Sequence, residues 1–302
     1  MPEAVIVSTA RTPIGRANKG SLVDCRPDDL TAHIVKAALE KVPQLDPQSV
    51  DDLIAGCGQP GGESGYNIAR VSAILAGMPD VPGVTVNRYC SSSLQAIRMA
   101  SHAVKAGEGD AFVCAGIETV SRFQFGAADT GPHNPSFSQA EERSRERTNG
   151  ASSWEPPSGL PDIYIAMGQT AENVRLAENV GRQEMDEFAA RSQQLAVESQ
   201  HNGFFEREII PVTLPDGTLV SKDDGPREGT TVEKLAELKP VFRPDGEVTA
   251  GNSCPLNDGA AAVIVMSDTR ARELGIKPLA RIVASAVSAL NPEIMGLGPI
   301  DA

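Results

Sequence analysis

The stretch VTVNRYCSSSLQAI, Val84 to Ile97, passes from a β-branched run straight into a helical one. Val84, Thr85 and Val86 suit a strand, and from Ser91 to Ala106 the spacing is helical until Gly107 stops it. Cys90 therefore stands at a strand-to-helix junction with three serines directly behind it. That position suits a nucleophile. A helix N-terminus offers unpaired N–H groups and the positive end of the dipole, which favour a thiolate, and the same donors can hold a developing oxyanion. A buried structural cysteine beside a capping serine has the same local sequence, and position alone leaves both readings open.

Outward from this junction, short β-branched runs alternate with helical patterns. A strand is predicted near Val5 to Ser8, and a helix starts at Pro27 and Asp28 with apolar positions at Leu30, Ile34 and Ala37. Leu53 to Gly56 reads as a strand, Ile68 to Ala76 as a helix ended by Gly77, and Ala111 to Gly116 as a buried strand. Residues 1 to about 118 thus predict βαβαβαβ, the pattern of a largely parallel sheet covered by helices. From Arg122 to about Pro161 the chain turns rich in Gly, Pro, Ser and Asn and predicts a long exposed excursion. Within it, EERSRER at Glu141 to Arg147 has the charge pattern of a solvated helix face or a mobile loop. Two amphipathic helices follow, Thr170 to Val180 and Gln183 to Gln200, and then a polar loop from Asp216 to Gly229. GAAAVIVM, Gly259 to Met266, reads as a buried strand returning to the first sheet. After it come a short helix, Asp268 to Leu274, and an alternating strand, Leu279 to Ala289.

Composition narrows the function. The chain carries 27 Lys and Arg against 40 Asp and Glu, a formal charge of -13, and no basic cluster, so a nucleic-acid partner is not expected. The opening MPEAVIVSTARTPIG fits a first strand better than a signal peptide, and the longest apolar run, Gly259 to Met266, is too short to span a bilayer. Five cysteines at positions 25, 57, 90, 114 and 254, far apart and without a CxxC pair, fit a reducing cytoplasm with neither a disulfide frame nor a structural zinc. A second polar motif, VTAGNSCPLNDGAAAVIVM from Val248 to Met266, crowds Asn252, Asn257 and Asp258 into a loop. That loop reads either as a tight turn closing a sheet or as a binding loop.

These segments together resemble the thiolases. TARTPIG at Thr9 to Gly15 follows the first strand, and Asn87 to Ser92 gives N-x-x-C-x-S around the cysteine. MGQTAENV at Met167 to Val174, DEFAARSQQLA at Asp186 to Ala196, LAELKPVF at Leu235 to Phe242 and TAGNSCPLNDGAAAV at Thr249 to Val263 keep the family's order and spacing. The resemblance covers the chain except about Phe123 to Leu160. It implies an α/β, layered αβαβα fold of two similar halves. Residues 1–118 with 249–270 would complete the first half, 119–248 would form an inserted loop subdomain that binds coenzyme A, and 271–302 would only begin the second half.

The resemblance also implies an acyl-CoA C-acyltransferase that cleaves or forms 3-ketoacyl-CoA through an acyl group carried on Cys90, in fatty-acid or related acyl-CoA metabolism. Coenzyme A is then a substrate, and neither a cofactor nor a metal is implied. By position in the motifs, Arg227 would lie at the adenine and phosphate end, with Met167, Phe242 and Ala250 along the pantetheine channel. Ala166 stands where many relatives have His, and Cys254 where many have Ser. Both changes remove hydrogen-bonding groups near the expected acyl channel and leave room for a longer or bulkier 3-ketoacyl chain. A homodimer or homotetramer is implied, with Ala111 to Gly116 as an apolar edge strand in need of cover.

Three family segments do not occur in these 302 residues: Asn-Glu-Ala-Phe, a Gly-His-Pro whose His activates the nucleophile, and a late Cys-x-Gly acid/base. His33, His102, His133 and His201 read as structural or solvent-facing. The expectation is a chain truncated relative to the family. A species ending at Ala302 would not turn over, and its missing half would cover the small-residue face Ala96, Ala100 and Ala103. Two alternatives are a ketoacyl-carrier-protein synthase, against which TARTPIG and the TAGN segment argue, and a non-catalytic, truncated acyl-CoA-binding homologue.

Overall fold

In the computed structural model, which describes residues 2–123, 127–150 and 153–302, the chain forms two compact units. The first comprises Met1–Thr130, Gly203–Gly225 and Leu256–Ala284; the second comprises Gly131–Asn202, Pro226–Pro255 and Ser285–Ala302. Residues 124–126 and 151–152 of the predicted excursion lie outside the described residues.

The first unit is built on a sheet that, among the described residues, has seven strands. They are β1 (Ala4–Arg11), β2 (Gly15–Arg16), β3 (Asp52–Gly56), β4 (Gly83–Val86) and β5 (Ala111–Thr119), with β8 (Asn257–Ser267) and β9 (Ala280–Arg281). A separate small ribbon pairs β6 (Val212–Thr213) with β7 (Leu219–Val220). The strand order is β4-β3-β5-β8-β1-β9, and β2 also pairs with β8. β3 runs parallel to β4 and to β5, but β8 is antiparallel to both β5 and β1, and β9 is antiparallel to β1.

The expectation of a largely parallel sheet therefore holds for β3, β4 and β5 alone. β8 enters the middle of the sheet from far along the chain, and hydrophobic period carries no information about strand direction. Its position between two neighbours, with Ala260, Ala262, Ile264, Val265 and Met266 buried, explains why GAAAVIVM is apolar almost throughout. Ala111 to Gly116 is likewise not an edge: β5 lies between β3 and β8, and the outer strand on that side is β4. The strand predicted over Leu279 to Ala289 is reduced to Ala280–Arg281, paired with Val5 and Ile6.

Period-2 alternation sends each strand's side chains to two different cores. Leu53, Ala55, Val113, Ala115, Ile264 and Met266 face one side, where Leu30, Ile34, Val35 and Ala38 of helix α1 (Pro27–Glu40) and Ala69 and Ala73 of α2 (Ile68–Leu75) cover them. Ile54, Phe112, Cys114 and Val265 face the other, against α3 (Ser92–Ala106). Each fully buried Leu, Ile or Val contributes about 1.5–3 kcal/mol. The small-residue face of α3 is occupied within this unit. Ala96 and Ala100 are completely buried against the sheet, and Ala103 packs beside them, so that face does not await another helix layer. The absence of long side chains there lets the helix lie close to the strands.

The TARTPIG motif fastens the unit's outlying segment, residues 203–225. Arg11 forms a fork with both oxygens of Asp223, at 2.8 and 3.0 Å, reaches Glu208 at 2.7 Å, and lies over the Phe205 ring. Asp223 also accepts the Ile14 N–H, while Asp224 accepts those of Arg16 and Ser21. Asp258, fully buried at the start of β8, takes the Ser121 N–H and hydroxyl.

The second unit is held by buried polar groups. Its helices are α4 (Ser138–Thr148), α5 (Met167–Ala177), α6 (Arg182–His201) and α7 (Val232–Ala236). α4 forms inside the predicted excursion and contains EERSRER, so of the two readings of that charge pattern the helix face is the one the structure shows. Glu293 is fully buried and accepts hydrogen bonds from Arg147 at 2.9 Å, the Trp154 indole at 2.8 Å and the Asp162 N–H at 2.9 Å. Its own carbonyl accepts from Asn173. Glu172, also fully buried, holds Arg175 and the Glu247 and Val248 N–H groups, and Arg243 reaches Gln169 and Asn173.

Burial alone raises the Glu293 carboxyl, but the Asp162 N–H, the Trp154 indole and Arg147 outweigh it and hold it below the usual carboxylate range. A carboxyl lowered on folding stabilises above its unfolded value of about 4.3 and loses that contribution as pH falls through the folded value. Trp154 is the only Trp and lies in this unit, so its fluorescence reports on it. Urea midpoints read by Trp154 should fall as the buffer is taken from about pH 5 to about pH 3. Glu293→Ala should cost about 3–5 kcal/mol at neutral pH and flatten that acid dependence.

Candidate active site

At the end of β4 the chain must leave the sheet and enter α3 within a few residues. Asn87 Oδ1 accepts the Tyr89 N–H at 2.7 Å, and Tyr89 takes a left-handed conformation with φ of 47° that only a tightly held non-glycine residue adopts. Tyr89–Ser91 makes one 3-10 turn that runs into α3 at Ser92. The Ser92 hydroxyl locks the turn, accepting the Arg88 N–H at 2.9 Å and donating to the Tyr89 carbonyl at 2.6 Å. Cys90 occupies the centre of this turn, exposed, two residues ahead of the positive end of the α3 dipole.

Two glycines allow the helix to start there. A Cβ on Gly56, the last residue of β3, would stand 2.3 Å from the Ser92 carbonyl carbon and the Ser93 nitrogen. A Cβ on Gly116 of β5 would stand 2.7 Å from the Ser93 Cβ. The backbone of α3 therefore lies directly on the strands. Sequence reading missed these residues, although a glycine closing a buried strand is itself a signal of close backbone approach.

The other four cysteines separate by environment. Cys25, Cys57 and Cys114 are buried, whereas Cys254 is exposed. Burial pushes the Cys57 thiol up to about 11 and raises those of Cys114 and Cys25.

The expected coenzyme A residues lie in the second unit. Met167 is the first residue of α5 and is exposed. Its neighbour Gly168 carries the Phe242 ring so closely that a Cβ would meet ring carbons at 2.2 Å, and the Phe242 carbonyl accepts from Gln169 at 2.8 Å. Met167 and Phe242 are thus brought together. Ala250 is exposed in a turn closed by Asn252, whose Oδ1 accepts the Thr249 N–H at 2.7 Å, and Cys254 follows, also exposed. Asn252 also binds Asp186 and the Glu247 carbonyl, so the TAGN segment is a fastened turn. Arg227 lies elsewhere in the unit. Its N–H is held by Gln193 of α6 at 2.8 Å, and with Gln194, Val197, Glu198, His201 and Thr230 it lines an open groove of about 580 Å³. His201 pairs with Glu228, His133 stacks on Tyr164 and contacts Glu141, and His33 contacts the Pro211 carbonyl. Among the described residues, no His, Cys, Asp and Glu group is arranged to hold a metal ion, and no helix is long and apolar enough to cross a membrane.

An exposed cysteine at a helix start on a layered α/β unit is suited to nucleophilic chemistry. The family model for the thiolase N-terminal domain matches residues 4–269, and this chain belongs to the thiolase family of acyltransferases. It is 40% identical to the beta-ketoadipyl-CoA thiolase of Acinetobacter baylyi over 307 residues, covering all of this chain and 75% of that protein. The 3-ketoacyl-CoA thiolase of Bacillus subtilis is also 40% identical, over 315 residues, with the same coverage. Among solved structures, the dimeric peroxisomal thiolase of Saccharomyces cerevisiae matches with a TM-score of 0.86 at 30% identity, covering 99% of this chain and 73% of that one. The acetyl-CoA acetyltransferase of Bacillus anthracis matches at 0.80 and 35%, with 98% and 73% covered. The thiolase fold expected from the motifs is thus established.

Brief iodoacetamide treatment of the folded protein should alkylate Cys90 and Cys254 alone, with Cys25, Cys57 and Cys114 reacting only after unfolding, as read by peptide mapping. Gly56→Ala should cost at least about 1–3 kcal/mol in denaturant titrations, because the methyl group meets backbone that cannot swing aside.

Proposed function

We propose that this chain carries the nucleophile of thiolase-type acyl transfer, with Cys90 as the covalent acyl carrier and 3-ketoacyl-CoA as the substrate class. The observation that carries the reading is the exposed Cys90 thiol in a locked turn at the start of α3, in a chain of this family. In the cleavage direction the Cys90 thiolate attacks the 3-keto carbon and forms a C–S bond. The bond between C2 and C3 breaks, its electron pair leaves with the two-carbon thioester as the enolate of acetyl-CoA, a proton completes that product, and the shortened acyl group stays on sulfur. A coenzyme A thiolate then displaces the acyl group from sulfur and restores Cys90. Thioester exchange suits a thiolate, which both attacks and leaves readily.

Coenzyme A is assigned to the second unit, with Arg227 toward the phosphates and Met167, Phe242 and Ala250 along the pantetheine arm. The Phe242 ring seated on Gly168, and the groove beside Arg227, support that assignment. The relatives named for beta-ketoadipyl and for 3-ketoacyl substrates, together with Ala166 and Cys254 in place of polar residues, support an acyl group longer than acetoacetyl. The role falls in fatty-acid or related acyl-CoA metabolism, in the cytoplasm. A homo-oligomer belongs to the same reading, supported by the dimeric thiolase among the structural neighbours.

Incubation with acetoacetyl-CoA and with longer 3-ketoacyl-CoA esters, followed by intact mass and peptide mapping, should reveal an acyl adduct on Cys90 that Cys90→Ala abolishes. Arg227→Ala should raise the concentration needed for half-maximal acylation about tenfold, the worth of one charged hydrogen bond to phosphate, with little change at saturation. Coenzyme A binding with no adduct on Cys90 would instead mark a non-catalytic acyl-CoA-binding protein.

A further inference from the structure

Glu118, near the end of β5, has no part in the reading above. Its Oε2 accepts the Gly58 N–H at 2.8 Å, and the same carboxylate is held by the Gln59 amide. Oε1 is buried and has no partner among the described residues. Burial raises this carboxyl above its ordinary value despite those two amides. A half-buried carboxylate with one oxygen shut away from solvent is costly, and its described hydrogen bonds go to the Gly58 and Gln59 amides beyond β3.

What those residues touch gives Glu118 a purpose. A Cβ built on Gly58 would stand 2.9 Å from Glu118 Oε2. It would also stand at contact distance from the chain before Cys90, 3.4 Å from the Tyr89 Cα and 3.5 Å from the Tyr89 carbonyl carbon, the atom bonded to the Cys90 nitrogen. Gly58 therefore lies next to both the Glu118 carboxylate and the peptide preceding Cys90. The ladder between β3 and β4 continues to the Val86 carbonyl, which accepts the Cys57 N–H at 3.1 Å, so residues 56–58 run beside 86–89. The Asn87 and Ser92 bonds fix the turn's shape, whereas this contact limits where the turn stands on the sheet.

We propose that Glu118 is a positioning residue for the Cys90 nucleophile, acting through Gly58, which it holds against the Tyr89–Cys90 peptide. The proposal rests on the reading of Cys90 as the acyl carrier. It requires an acceptor oxygen at position 118, and a Cβ at position 58 would come within 2.9 Å of that oxygen and displace it from the Gly58 amide, so the two residues act as one device.

The test compares iodoacetamide rate constants of Cys90 and Cys254 by mass spectrometry, with melting followed by circular dichroism, in the parent chain and four variants. Glu118→Ala should slow Cys90 about tenfold, the loss of one hydrogen bond to a charged group, while Cys254 keeps its rate. Glu118→Gln retains an acceptor oxygen and should restore Cys90 to within about threefold of the parent. Gly58→Ala should slow Cys90 by a similar factor. The Gly58→Ala, Glu118→Ala double variant should be no slower than Glu118→Ala alone, because coupled residues do not add. An unchanged Cys90 rate in Glu118→Ala, a parallel fall at Cys254 with a lower melting temperature, or a Gln variant as slow as Ala would each overturn the proposal. If Cys90 of the parent were no faster than Cys254, the nucleophile assignment would fail first, and that outcome is seen before any variant is made.

Discussion

The close approach of the α3 backbone to the ends of β3 and β5 is the constraint from which the site follows. Glycine at 56 and at 116 removes the two Cβ atoms that would hold the helix away, and Ala96 and Ala100 keep the rest of α3 equally near the sheet. With the helix in that position, the chain from Val86 to Ser92 has no room for an ordinary loop. It crosses in one 3-10 turn at the expense of a left-handed Tyr89, and the Asn87 and Ser92 side chains satisfy the main-chain groups that the turn exposes. Cys90 is exposed together with Tyr89 and Ser91, and the buried Ser92 anchors the turn that carries all three.

The two units are stabilised by different physics. In the first, alternating strands supply two apolar cores, and burial of Leu, Ile and Val side chains is the main favourable term. In the second, the centre is occupied by Glu172, Asn173, Asp186, Arg243 and Glu293, each joined to helix side chains or to loop amides. Such a network contributes only while every member is paired, and it fixes loop geometry more sharply than apolar contact does. That suits a unit whose assigned task is to hold a long polar ligand along several loops. Sequence periodicity was weak there for the same reason, since a polar interior leaves no apolar stripe to read.

The correspondence between reading and structure follows this division. α1, α2, α3, β3 and β5 were legible because each buries one face or two in an apolar core and so carries a 3.6 or 2.0 period. α6 was legible from its capping glycine and its amphipathic spacing, and α4 only as a charge pattern with two possible meanings. The polar residues of the TAGN segment were left between a turn and a binding loop. Asn252 and Asp258 proved to be fasteners, bound to Asp186 and Ser121 respectively, partners 66 and 137 residues away. No local window contains both ends of such a bond.

The sequence by itself determined the family, the position of Cys90 at a strand-to-helix junction and the run of elements through residue 118. All three are written in local spacing or in ordered motifs. Only the tertiary structure decided that β8 separates β5 from β1, that β4 and not β5 is the outer strand, and that Gly56, Gly58 and Gly116 lie against the chain from Tyr89 to Ser93. It also placed Glu118 behind one of them. These are facts of non-local packing: strand direction, edge position and the closeness of two backbones depend on residues that meet only in the folded chain.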